Sequence, residues 1–167
     1  MDECFSDNSG QNDGELPENV KAVAIKALNS LARAEQCRSS LERKLVQKGF
    51  EKNDISAALD YLESRNFLND ERYASMWLRT HCAFKFHGKI RLLNDLVSRG
   101  VKKSVADKAV SEYLEENPEF ELCQKAYKKY VQQGKSSEKV LNSLAQSGFS
   151  YNMIQKVIKI GGSYAAK

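Results

Sequence analysis

Between Arg72 and Lys103 the chain sets Arg72, Arg79, Lys85, Lys89, Arg91, Arg99, Lys102 and Lys103 against one acid, Asp95, a surplus of seven positive charges in 32 residues. One carboxylate cannot neutralise eight cations, so a positive potential survives that attracts phosphate or carboxylate. Inside this stretch, Ala83-Phe84-Lys85-Phe86-His87-Gly88 alternates aromatic and basic groups, a pattern able to offer ring faces to bases and cations to phosphates. Upstream lie Arg33, Arg38, Arg43, Lys44 and Lys48, diluted by Glu35, Glu42 and Glu51; downstream lie Lys125, Lys128, Lys129, Lys135 and Lys139, diluted by Glu121 and Glu138. An anion-facing surface is therefore expected, built from the eight mid-chain cations together with Arg38, Arg43, Lys44 and Lys48. The plainer alternative is a solvated helix face, since Arg91 with Asp95 and Asp95 with Arg99 have i,i+4 spacing, worth ~0.3 to 0.5 kcal/mol each.

Reaction chemistry finds no comparable constellation. There is no Gly-rich phosphate loop, no HExxH and no GxSxG. His81, Cys82 and His87 come nearest to a metal cluster, but their spacing suits no single helix face. Cys4, Cys37, Cys82 and Cys123 lie 33, 45 and 41 residues apart with no CxxC pair, which points to free, half-buried thiols. A binding protein with no cofactor is expected rather than an enzyme.

The elements that position the cations show as a repeat. Lys44-Leu45-Val46-Gln47-Lys48-Gly49-Phe50, Asp95-Leu96-Val97-Ser98-Arg99-Gly100-Val101 and Ser143-Leu144-Ala145-Gln146-Ser147-Gly148-Phe149 superpose, each with Leu four residues before Gly and an apolar residue after it. The intervals are 51 and 48 residues. The shared block reads as a helix closed by a left-handed glycine, followed by a second helix. Ser39 with Glu42, Ser104 with Asp107 and, less strictly, Asn152 with Gln155 have capping-box spacing. A third helical pattern precedes each block, as in Val20, Val23, Ala24, Ala27, Leu28 and Leu31. On the helix beginning near Lys89, Ile90, Leu93, Leu96 and Val97 are expected inward, leaving Arg91 outward. The fold class is all-α: three tandem three-helix repeats, near 20–65, 66–116 and 117–160, in an elongated, curved array. Trp77 and the tyrosines are then mostly core or interface residues.

Residues 1–19 hold Asp2, Glu3, Asp7, Asp13, Glu15 and Glu18 with no Lys or Arg, and read as a disordered acidic tail; residues 161–167 read as a second tail. With 41% apolar residues the chain should fold. No apolar run of membrane-spanning length and no signal peptide appear, so a cytoplasmic protein is expected.

The run Ser39-x-Leu41-x-x-x-Leu45-x-x-x-Gly49-Phe50, then Leu68-Asn69-Asp70-Glu71-Arg72-Tyr73-Ala74, then Gly88-x-Ile90-x-x-x-x-x-Leu96-x-x-x-Gly100-Val101, resembles the bacterial RecX regulators. The resemblance covers roughly residues 28 to 158. It implies a small non-enzymatic modulator of the RecA recombinase, which binds in the groove of the RecA–DNA filament and inhibits ATP hydrolysis and strand exchange in recombination and repair; the chain itself is expected to be a monomer. Single- or double-stranded DNA would be a second, weaker partner. Two readings stand beside it: a free-standing nucleic-acid binder, and a helical adaptor for an acidic protein. The matched residues are mainly glycine caps, core positions and helix starts, so they locate the fold better than the contact surface. The third unit departs furthest from the pattern.

Overall fold

The computed structural model describes residues 16–82 and 85–165, with side chains to residue 161. Among the described residues there are nine helices and no strand: α1 Glu18–Leu31, α2 Arg38–Gln47, α3 Lys52–Ser64, α4 Asp70–Cys82, α5 Lys89–Ser98, α6 Lys103–Glu116, α7 Glu119–Gln132, α8 Ser137–Gln146 and α9 Tyr151–Ala165. Helix α9 runs past 160, so residues 161–165 extend it instead of forming a tail. The acidic segment 1–15 lies outside the described residues, and Glu18 and Asn19 already belong to α1.

Each set of three consecutive helices closes round its own core. In the first, Val20, Val23, Ala24 and Ala27 of α1 follow the i, i+3, i+4, i+7 rule and meet Leu41 and Leu45 of α2 and Ile55, Leu59 and Leu62 of α3. Each of the buried Val, Leu and Ile side chains stabilises the fold by about 1.5 to 3 kcal/mol. The second core gathers Ala74, Leu78, Leu92, Leu96, Val101, Ala106 and Val110, and the third Cys123, Ala126, Val140, Leu144, Phe149, Ile154 and Val157. Trp77, at 9% exposure, belongs to the second core. Tyr113 and Leu114 of α6 pack against both the second and third cores, which ties these two units together.

The repeated glycines act as the spacing requires. Gly49, Gly100 and Gly148 have φ of +84°, +99° and +87°. After each, the apolar residue's N–H returns to the Leu carbonyl: Phe50 to Leu45, Val101 to Leu96 and Phe149 to Leu144, at 3.3, 3.2 and 3.3 Å. That is the Schellman bond pattern, and it seats the apolar residue on the last helical turn.

The capping boxes are not present. Cys37 and Lys102, not Ser39 and Ser104, occupy the N-cap positions of α2 and α6, and neither helix has a side-chain cap bond at that residue. The first turn of α2 is capped from another unit: the Arg38 backbone N–H donates to Asp70 Oδ1 at 2.7 Å. The same device recurs at α5, where the Lys89 N–H donates to Glu119 Oε1 at 2.8 Å. Asp70 and Glu119 each open the first helix of the following unit. Neither α2 nor α5 has an acid in its own first turn, so each relies on the next unit for the negative charge that its dipole favours. Helix α8 carries its own, Glu138.

A second contact completes each junction. Cys37 Sγ donates to the carbonyl of Arg99, the residue before Gly100, at 3.2 Å, and the Gly88 N–H donates to the carbonyl of Ser147, the residue before Gly148, at 2.8 Å. The start of one middle helix thus rests on the glycine-capped end of the next. A Cβ on Gly100 would stand 2.5 Å from Ser39 Oγ, and one on Gly148 2.5 Å from the backbone nitrogen of Arg91. No such neighbour lies within 4 Å at Gly49.

Candidate anion-facing surface

The structure divides the sequence-derived cations into two groups. Arg38 is held by two acids of its own unit, Nη2 to Asp60 Oδ1 and Nη1 to Glu63 Oε2, both at 2.7 Å. Arg72 pairs through Nε with Glu35 at 2.5 Å and donates through its other nitrogens to the carbonyls of Asn66 and Phe67, at 3.0 and 2.9 Å. It stitches the loop around Asn66, a non-glycine residue at φ 58°, to the connection between α1 and α2 that carries Glu35. Lys44 donates to Gln36 Oε1. Arg43 donates to the Ser39 and Arg99 carbonyls, both at 3.3 Å, across the first junction. These four are engaged in holding the units in place, a use that a count of charges does not disclose.

Arg91 also differs from the expectation. Helix α5 buries Leu92 and Leu96, whereas Ile90 and Val97 are 55% and 45% exposed. The inward face is therefore rotated from the one the sequence suggested. Arg91 does not stand clear of the body: it donates through Nη1 to the Gln146 carbonyl at 3.1 Å, and Nε lies 3.5 Å from Asp95. Its guanidinium serves the second junction as Arg43 serves the first. Arg99 lies over the Trp77 ring at 4.8 Å, a cation–π contact that leaves the charge itself exposed.

Lys48, Arg79, Lys85, Lys89, Lys102 and Lys103 are exposed and make no ion pair among the described residues. Lys102 and Lys103 are placed against local helix preference. They are the N-cap and first residue of α6, whose first turn holds no acid, so two ammonium groups stand at the positive end of a helix dipole. A cation there costs about 0.3 to 1 kcal/mol, and the arrangement concentrates field outward. The equivalent position in the first unit pairs Glu51 with Lys52, and in the third Ser150 with Tyr151, so two adjacent cations at this helix start occur in the middle unit alone.

The neighbouring histidines register this field. Burial, followed by Lys85 and Arg99, holds His81 below the ordinary imidazole range; burial, followed by Arg91, does the same for His87, and Asp95 offsets only part of either shift. The His81 ring stacks on Trp77 at 4.4 Å, and His87 Nδ1 is buried without a hydrogen-bond partner. The two imidazole rings are 6.3 Å apart, and no group of three or more His, Cys, Asp or Glu suited to a metal ion occurs among the described residues. Phe86 packs into the third core, with Lys129 5.9 Å above its ring, so it is a structural wedge and not an open stacking face. Phe84 lies outside the described residues.

The thiols are protected rather than activated. Cys37, Cys82 and Cys123 are free and buried, and burial pushes each upward, Cys123 to about 11. A groove of about 590 Å³ between α7 and α9, lined by Tyr127, Lys128, Val131, Val157 and Ile160 among others, brings together no nucleophile with a base. No described helix is long and apolar enough to cross a membrane.

Known proteins share this helical array. The first RecX three-helix domain matches residues 25–62, and the second matches residues 69–110. Regulatory protein RecX of Vibrio campbellii is 32% identical over 133 residues, covering 77% of this chain and 84% of the relative. The Clostridioides difficile protein of the same name is 33% identical over 139 residues, covering 80% of this chain but 65% of its own length, so the present chain spans about two thirds of that relative. In three dimensions the chain is similar to the crystal structure of RecX from Lactobacillus salivarius, with a TM-score of 0.75 at 24% identity over 86% of this chain and 97% of that one. A second RecX crystal structure gives 0.73 at 20% identity, over 84% of this chain and 72% of the other. The paired family domains, the relative matched over most of its length and the shared fold together place the chain in the RecX family of regulatory proteins.

Proposed function

We propose that this protein regulates a RecA-type recombinase by lying along the recombinase–DNA filament and inhibiting its ATP hydrolysis and strand exchange, with no catalytic step of its own. The observation that carries this reading is the set of unpaired cations in the middle unit, above all Lys102 and Lys103 at the start of α6. A fold that accepts this placement gains from it only when an anion arrives. Lys89, Lys85 and Arg79 extend the positive surface, Lys48 adds a charge from the first unit, and Arg99 contributes from the Trp77 face. Arg91 and Arg43 shape the surface by fixing the junctions; Arg38, Arg72 and Lys44 act inside the scaffold.

Phosphate contacts of this kind supply affinity without sequence choice, and they weaken as salt rises, with a log–log slope of about −0.7 per phosphate on single strands. Three titrations at one salt concentration test the reading: against bare single strand, recombinase alone and assembled filament, with ATP hydrolysis followed in parallel. Tightest binding to the filament, with hydrolysis suppressed, is expected. Equal affinity for bare strand and filament would move the assignment to a free-standing nucleic-acid binder, and undiminished binding to nucleic-acid-free recombinase would move it to a helical adaptor.

A further inference from the structure

Helix α5 is apolar over more of its circumference than its core needs. Leu92 and Leu96 are fully buried and Leu93 partly so. Ile90 and Val97 stand outside that face, seven residues apart and hence about 20° apart round the helix, at 55% and 45% exposure. Asn94 falls between them and is exposed, so the two aliphatic side chains frame a short uncharged ridge. The position three residues before the cap glycine is apolar and exposed in the first unit as well, where Val46 is 42% exposed. An exposed aliphatic residue alone needs no explanation. A pair on one face, with one member repeated at the same register in the neighbouring unit, is different.

Cations flank this ridge. Lys89 directly precedes Ile90; Arg99 follows Val97 by two residues, then Lys102 and Lys103 beyond the glycine turn; and Arg43 reaches the Arg99 carbonyl from α2. Aliphatic side chains gain nothing against a phosphate backbone, whereas an apolar patch rimmed by charge is the usual anatomy of a protein–protein contact.

We propose that Ile90 and Val97 of α5 form a protein-docking ridge that seats in an apolar groove on the recombinase subunit, with Lys89 and Arg99 meeting carboxylates on the rim of that groove, while Lys102 and Lys103 beyond the glycine turn serve the nucleic acid. This rests on the filament reading above and gives it a division of labour: the ridge confers partner choice, and the cations confer affinity. Removing the ridge without changing charge should therefore separate two activities that the lysines leave coupled.

The test is Ile90→Ser with Val97→Ser in the full chain, compared with Ile90→Val with Val97→Ile and with Lys102→Glu plus Lys103→Glu. The serine pair should raise the concentration for half-inhibition of filament ATP hydrolysis at least tenfold, leave bare single-strand affinity within twofold and leave thermal melting unchanged. The aliphatic swap should behave as the parent. In a second measurement, a photo-crosslinking residue at position 90 should capture the recombinase subunit and not the labelled strand. Inhibition that persists in the serine pair but is lost in the lysine reversals, or crosslinks that go to the strand, would overturn the ridge while the filament reading stands. A parent chain that never inhibits would overturn both.

Discussion

The first and second units carry cations of the same kind to opposite ends. In the first, Arg38 is clamped between Asp60 and Glu63 and Lys44 is turned onto Gln36, so the basic residues of α2 largely close the fold. In the second, Lys89, Lys102 and Lys103 face solvent without an ion pair among the described residues, all three at helix starts where the dipole disfavours them. Opposed acids lie close to the basic residues of the first unit, whereas in the second Asp95 is the one acid between Arg72 and Lys103, and Glu71 is taken up by Lys108. Charge density marks where to search; the partner of each charge decides whether it is scaffold or surface.

The cationic surface is most vulnerable at the joint between the second and third units. Gly88 has an ordinary backbone conformation at φ −81°, but a Cβ there would run into the Gly148 carbonyl and stand 2.8 Å from the ring of Phe149, a member of the third core. Gly88→Ala should cost about 3 kcal/mol as overpacking, and hydrogen exchange should show protection lost in α8 and α9 before α1 to α3. Next in size, reversing Lys89, Lys102 and Lys103 to Glu together should weaken filament binding about a hundredfold at low salt. The same change should hold or slightly raise the melting temperature, because acids suit the start of α6. Arg38→Ala inverts that pattern: about 1.5 kcal/mol of stability lost, since Asp60 and Glu63 are left without their shared cation, with binding per folded molecule unchanged. Equal loss of binding in the Arg38 and lysine variants would erase the distinction between scaffold and surface. Gly49→Ala should cost only the strain of its +84° φ, about 1 kcal/mol, with nothing within 4 Å to collide with, and denaturant melts would resolve it from the larger loss in Gly148→Ala.

The smallest effect sharpens the view of the field itself. His81 and His87 both titrate below their ordinary 6.5, so between the lowered values and 6.5 the unfolded chain binds more protons than the folded one. Stability is then full above about pH 6.5 and falls as pH drops through that window. Lys85, Arg91 and Arg99 oppose protonation, Asp95 favours it, and Lys129 faces His87 across a small cleft from α7. Melting at pH 7.5 and 5.5 should differ less in a His87→Phe variant than in the parent.

What the sequence made legible was whatever repeats locally. The glycine caps, the apolar residue after each and the three-helix period depend on residues within a turn of one another, and Gly100 with Val101 behaves as that spacing requires. The uses of the charges depend on partners far along the chain: Arg72 meets Glu35, Arg43 meets the Arg99 carbonyl, and Asp70 caps α2. No window of periodicity contains those pairs. Helix α5 offered two overlapping apolar faces, and only the placement of α4 and α6 selects Leu92 and Leu96 over Ile90 and Val97. Ser39 was misleading for a related reason, since the carboxylate that serves α2 arrives from the following unit.

That borrowing has a consequence for how the molecule is made. Synthesis delivers α2 before Asp70, and α5 before Glu119, so each middle helix leaves the ribosome with its leading amide still bonded to water. The core of one module is complete before its successor's first helix is made, but its middle helix gains its last cap only once the start of that successor has been translated.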